Sequence, residues 1–535
     1  MVTSSAFNAA TATNAAAIAL NRFGLGARPG DAPPREPKAW LVEQLSAYQP
    51  MPAAWSGLPS SVALATDFAQ RREQVAAARK AAEFADASNT KAGGVPPQAA
   101  DGQAQGRAGR GNASDMTLNA ATNAATNAAT NAPPNAPPTA PLADRQQAEK
   151  ALRADVVSTY RAAVNARVTS ALVTPTPFVE RLVHFWANHF AVSTEKPAVA
   201  VLAGAFEAEA IRPHVLGRFE DMLVAVERHP AMQVFLDQTR SVGPDSLAAL
   251  RADARDPTHK RGLNENLARE IMELHTLGVR SGYTQQDVTE FARALTGWSV
   301  AGVRQNPRMA PAQPGTFVFR TALHEPGTRT VMGRSYSEPG EQQALAILHD
   351  LAASPATARH IAGKLARHFV ADNPPPAVVD RLASAFMQSG GDLPTVYRAL
   401  IDSPEAWSRH AAKFKSPWEW AVSAMRGLGW QDLGAFQAAP LLTQLGEPVW
   451  RPGSPAGYDD IAASWAAPDA LVRRVEAAQR FAAHASPDLD LDPRTLGQQL
   501  FAGTLSEPTA LAVSRAESTS TAIALLLVSP DFQRR

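Results

Sequence analysis

From Asn264 to Gly278 the chain reads NENLAREIMELHTLG. Wound as a helix at about 100° per residue, Asn266, Glu270 and Glu273 share one narrow stripe. Leu267, Ile271 and Leu274 share another, about a quarter-turn away. The two carboxylates therefore sit at the margin of a buried face. Neighbouring like charges repel, and an apolar margin raises a carboxyl pKa unless a cation answers it. A glutamate raised in this way serves as a general acid or base near neutral pH. In a second stretch, PFVERLVHFWANHF from Pro177 to Phe190, His189 falls on an aromatic side with Phe185, Trp186 and Phe190. Burial there holds an imidazole neutral unless a carboxylate compensates. The catalytic candidates are Glu270, Glu273 and His189. The substrate-binding candidates are Asn188, Asn266, Arg269, Arg293 and His275. The structural alternatives are Arg269 pairing with the carboxylates and His189 as a satisfied core residue; His324, at the tip of the expected hairpin, reads as a turn residue.

Several chemistries are absent. The chain has no cysteine, which removes disulfides, thiolate zinc sites, iron–sulfur clusters and a cysteine nucleophile. It carries no G-x-S-x-G elbow, no phosphate-binding G-x-x-x-x-G-K-[ST] loop and no H-E-x-x-H pair. A carboxylate-bridged metal pair needs Glu-x-x-His on one helical face, and His275 follows Glu273 and Glu270 at the wrong spacing. No metal site is assigned and no cofactor is indicated.

The elements that must position these groups are mainly helical. The expectation is a multi-helix globular bundle with one small β-hairpin and a long disordered insertion. PFVERLVHFWANHF, the two halves of RFEDMLVAVERHPAMQVFLD parted at Pro230, TQQDVTEFARALTGW behind a capping Thr284, SPATARHIAGKLARHFV, and PPPAVVDRLASAFMQS before Gly390 all read as helices. TFVFRTALHEPGTRTVMGRSY reads as the hairpin, turning at Glu325-Pro326-Gly327. Residues 1–16 read as a flexible tail, 17–88 as an N-terminal helical part, 89–143 as the low-complexity insertion and 144–535 as the main helical domain on which 17–88 packs. The insertion, with its ATNAATNAATNAPPNAPP repeat, lacks the apolar bulk to offset ordering entropy. Its flanks read as an antiparallel helical hairpin. The 51 basic and 50 acidic residues give no electrostatic footprint for nucleic acid. No run of about 18 apolar residues predicts a membrane span. The N-terminal text lacks a basic, apolar signal pattern, so the expected compartment is the cytoplasm, or the periplasm if the start lies upstream.

ALNRFGLGARPGD, FWANHFAVS, IRPHVLGRFEDMLVAVERHPAM, NENLAREIMELHTLGVRSGYTQQDVTEFARALTGW and LLLVSPDFQRR together resemble the bacterial domain-of-unknown-function family numbered 1800. The likeness runs from about Ala17 to Arg535, apart from the insertion; Tyr458 in GSPAGYDD stands where that family is expected to carry tryptophan. The resemblance implies a predominantly helical protein, often exported. It also implies a neighbour similar to alkaline-phosphatase-superfamily proteins, and no catalytic role for any residue.

Two readings stay open. In one, the chain is a partner or scaffold for that phosphatase-like neighbour, and the proline- and glycine-rich loop EPVWRPGSPAGYDD is its outer docking surface. In the other, it is a hydrolase of oxygen esters or glycosides. A glutamate then acts as general acid or base, and Asn, His and Arg side chains hold substrate in an inter-helix cleft. The lack of a local catalytic signature tips the sequence toward the first.

Overall fold

The computed structural model describes residues 13–92, 140–256, 262–302, 312–485 and 492–535. The chain forms two compact units, one from residues up to Phe68 with Val156–Arg535, the other from Ala69–Asp155. In the smaller unit, parts of the helices Ser61–Ala92 and Ala140–Val173 run side by side. Arg71 meets Asp155 at 2.8 Å and Arg79 meets Glu149 at 3.0 Å. Numbers rise on one helix as they fall on the other, so the pair is antiparallel. Most of the expected insertion lies outside the described residues, and residues 89–92 and 140–143 are helical. The expected tail is likewise outside up to residue 12, while 13–16 belong to a helix.

The larger unit is built almost wholly of helices. Prolines start many of them: Pro177, Pro197, Pro230, Pro355, Pro376, Pro417 and Pro468 each occupy the first turn. There the missing N–H is no loss and the fixed φ suits the helix. Thr284 caps its helix with Asp287 in a reciprocal box, and Gly390 ends another in the left-handed region at φ 63°.

The helix Pro177–His189 runs through the core, with every residue but Asn188 buried. Phe178 packs edge-on against Phe23 and Phe369, at 5.7 and 5.8 Å between ring centres. Burial on all sides means that its polar residues need internal partners. Arg212 pairs with Glu180 and Arg181 with Glu419. Three stretches, Ala19–Phe23, Glu207–Ile211 and Ile271–His275, widen into π-turns. In the last, Thr276 N–H donates to Ile271 O at 2.9 Å, five residues back rather than four.

The β structure comprises two small antiparallel pairs among the described residues. Phe317–Phe319 joins Trp298–Val300, and Arg329–Val331 joins Arg334–Tyr336. The hairpin thus turns at Met332-Gly333, both with positive φ, as a tight two-residue connection requires. The expected turn at Glu325 is instead an anchor. The Glu325 carboxylate is buried, accepts from the Asp245 N–H at 2.8 Å and pairs with Arg293 at 2.6 Å. No helix among the described residues is long and apolar enough to cross a membrane.

Candidate active site

A cavity of about 500 Å³ opens in the larger unit. Its walls are the C-terminal half of the helix Pro177–His189, one face of the helix Pro355–Phe369, the start of the helix Pro417–Gly427, and the loop from Glu447 to Asp460. Such a volume suits a small-molecule ligand.

His360, Lys364 and His368 line it at intervals of four residues, so successive turns of one helix aim them the same way. His368 Nδ1 lies 2.6 Å from Asp460 Oδ2. A carboxylate only accepts, so Nδ1 carries the proton and Nε2 keeps its lone pair. Nε2 is buried and makes no hydrogen bond. Burial pulls the imidazole below its ordinary pKa, Asp460 pulls it up and Arg535 pushes it down again, so at neutral pH the ring is an unprotonated base. Asp460 is held in turn by Lys413 at 3.1 Å, which also pairs with Asp372 at 2.6 Å. This is the orienting arrangement of an Asp–His couple. Among the described residues no hydroxyl bonds Nε2, and Glu419 Oε1 stands 4.0 Å from it.

Two further histidines on the wall are fixed by backbone. His189 Nε2 stands 3.2 Å from the His275 carbonyl oxygen, and His360 Nε2 stands 3.0 Å from that of Leu274. These carbonyls end the helical segment made of Asn266–Glu270 and Ile271–His275, where no following turn supplies donors. Both imidazoles therefore hold their proton on Nε2. Burial drives His189 far below its usual pKa and takes His360 to about 4, with Lys364 adding to both shifts. His189 Nδ1 is left buried with no donor facing it. His184 differs: its Nδ1 accepts from the Trp418 indole N–H at 3.0 Å, and burial takes its pKa to about 3. Its basic lone pair is already occupied.

The carboxylates divide by partner. Glu419 is saturated by Arg181 and Arg535, the latter at 2.8 Å, and stays well below the ordinary carboxyl range despite burial. Glu447 has no ion pair among the described residues, Arg167 acting on it only from a distance. Burial pushes it up to about 7, although the Trp418 N–H donates to it at 2.7 Å. A carboxyl that is half protonated near neutral pH can give up a proton to a leaving group.

Of the residues nominated from sequence, Asn188 and His189 line the cavity. Asn188 spends its amide on the loop: it donates to Tyr458 O at 2.9 Å and accepts from Tyr458 N at 2.7 Å. The remaining six lie off the cavity wall. Asn266 is exposed. Arg269 joins Glu265 at 3.1 Å and Glu273 at 3.6 Å in a half-exposed network. Glu270 is half-buried, and burial raises its pKa, with His275 opposing and Glu273 reinforcing. Arg293 pairs with Glu325 at 2.6 Å and Glu290 at 3.4 Å. His275 is buried against Glu227, at 2.7 Å. Its carbonyl oxygen faces His189 Nε2, and its ring centre lies 6.3 Å from that of His189. The i, i+4, i+8 spacing of His360, Lys364 and His368 is visible in the sequence; Glu447 and Asp460 have no local signal, because their partners are distant in the chain. No group of three or more His, Asp or Glu among the described residues is arranged to hold a metal ion.

The protein is thus a mainly helical one with a cavity lined by both apolar and polar side chains. The chain belongs to the DUF1800 family, described as proteins of unknown function, whose model matches residues 18–534. No curated protein matches it, and no solved structure does.

Proposed function

We propose that this protein is a hydrolase acting on a small polar substrate, an oxygen ester or glycoside, in the cavity between the Pro177–His189 and Pro355–Phe369 helices. The carrying observation is the His368–Asp460 couple, whose free Nε2 is buried in the wall. His368 takes a proton from water as its oxygen attacks, Asp460 holds the resulting imidazolium, and Glu447 gives its proton to the departing oxygen. This reading keeps the acid–base chemistry and the His and Glu residue types expected from the sequence, on different residues. A scaffold role beside a phosphatase-like partner draws on the EPVWRPGSPAGYDD loop as an outer surface. Glu447, Trp450, Tyr458 and Asp460 from that loop line the cavity instead, which favours the enzyme.

The test is turnover of a panel of chromogenic esters and glycosides. His368→Gln is expected to lower kcat/KM on the order of a hundredfold or more with the melting temperature little changed. Full activity in that variant rules out His368 as the base.

A further inference from the structure

Among the described residues, hydrogen bonds and ion pairs account for every arginine and lysine of the cavity wall but one, although exposed Arg367 meets a carbonyl oxygen and no carboxylate. Arg167 pairs with Glu207 at 2.8 Å, Arg181 with Glu419, and Arg359 with Asp380 at 3.0 Å. Arg367 donates to the Asp372 carbonyl at 3.2 Å. Asp460 is already shared by His368 and Lys413. Lys364 lines the same wall, half-buried, and makes no hydrogen bond or ion pair within the described residues. Facing it are His360, Arg367 and His368 on its own helix, His189 across the cavity and Asp460 on the loop. Burial lowers its pKa to about 8, so the ammonium form still prevails at pH 7.

The second unmatched group has the opposite character. His189 Nδ1 is a lone pair, 1% exposed as a residue and without a donor. A buried acceptor without a donor is costly, and a ligand that supplies one removes the cost. It calls for a hydroxyl, while Lys364 calls for negative charge.

We infer that the ligand of this cavity is a small hydroxylated acid: an oxyanion, carboxylate or phosphate, pairs with Lys364, and a hydroxyl donates to His189 Nδ1. The inference rests on the cavity being the reaction site, but binding alone reads it, so its failure and that of the hydrolase reading separate. Trp418 and Trp450 in the wall give a fluorescence signal. D-glucuronate, D-glucose 6-phosphate and D-glucose are titrated into the protein and into Lys364→Met, Lys364→Arg and His368→Gln, each first checked for an unchanged melting temperature. One or both charged sugars should bind about tenfold or more tighter than glucose, as a charged hydrogen bond warrants. Which of the two binds names the oxyanion. Lys364→Met should remove that preference, Lys364→Arg should retain it, and His368→Gln should bind normally. Equal affinity for all three sugars, no binding of either charged one, or an unaltered preference in Lys364→Met overturns the inference. Activity lost in His368→Gln with no charge preference in binding would leave the hydrolase reading standing and this one fallen.

Discussion

At the scale of single residues, the cavity holds one group ready to accept a proton and one ready to give it. His368 sits below its ordinary pKa and is neutral at pH 7, while Glu447 titrates at about 7. The proposed reaction needs His368 unprotonated and Glu447 protonated, so kcat/KM should be greatest on the mildly acidic side. It should fall as pH rises through about 7. Glu447→Gln should lower the rate and abolish that descending limb; a wild-type profile flat from pH 6 to 9 would remove Glu447 from the mechanism. The neighbouring Glu419 cannot share the task, because Arg181 and Arg535 hold it ionised. Proximity to a cavity is therefore not enough to identify an acid. The distinction depends on which cations arrive from other parts of the fold, and no sequence window contains that information.

At the scale of elements, the loop Glu447–Asp460 carries both carboxyl groups of the proposed mechanism, and among its fastenings is a close one to the Pro177–His189 helix. Asn188 pairs with both polar backbone groups of Tyr458, and Gly457 lies against Asn188 at φ 83°. A Cβ at Gly457 would stand 2.7 Å from Asn188 Oδ1 and closer still to its carbonyl oxygen. Gly457→Ala should cost about 1–3 kcal/mol of stability and lower activity more than that loss explains, since Asp460 moves with the loop. Calorimetry beside kinetics checks this; normal turnover would show that the fastening is irrelevant. The helices themselves were legible in the sequence, because proline starts, caps and apolar stripes are local signals. Glu-Pro-Gly at Glu325 has turn composition, but burial and Arg293 make it an anchor, and neither is a local signal. The Glu270–Glu273 stripe does lie at the margin of a buried face, as its spacing implies. Spacing alone does not say whether such a margin faces a cavity or Arg269.

At the scale of the whole molecule, acid should be the weakness. Burial lowers the pKa of His184, His189, His214, His229, His324, His360 and His368. The unfolded chain then binds more protons below pH 6.5, so this stability is complete above that pH and is lost as pH falls toward the folded values. For the fully buried His184 and His189 the loss is about 1.4 kcal/mol each per pH unit. Glu207, Glu270 and Glu447 are raised and act the opposite way, strengthening the fold as pH falls toward 4.5, but they are outnumbered. The melting temperature should therefore begin to drop just below pH 6.5, before ordinary carboxylates protonate. An unchanged value down to pH 5 would contradict this.

The end of the helical segment Asn266–Glu270 and Ile271–His275 bears on how that stretch should be probed. What it gives the cavity is a pair of peptide oxygens, from Leu274 and His275, that dictate the tautomer of two rings in remote stretches. Replacing its side chains one by one leaves those oxygens intact, so an alanine scan would read only the packing of buried Leu267, Ile271 and Met272 and the His275–Glu227 pair. Only changes to the main chain itself, such as an ester linkage or a shift of the winding by one residue, would expose its part.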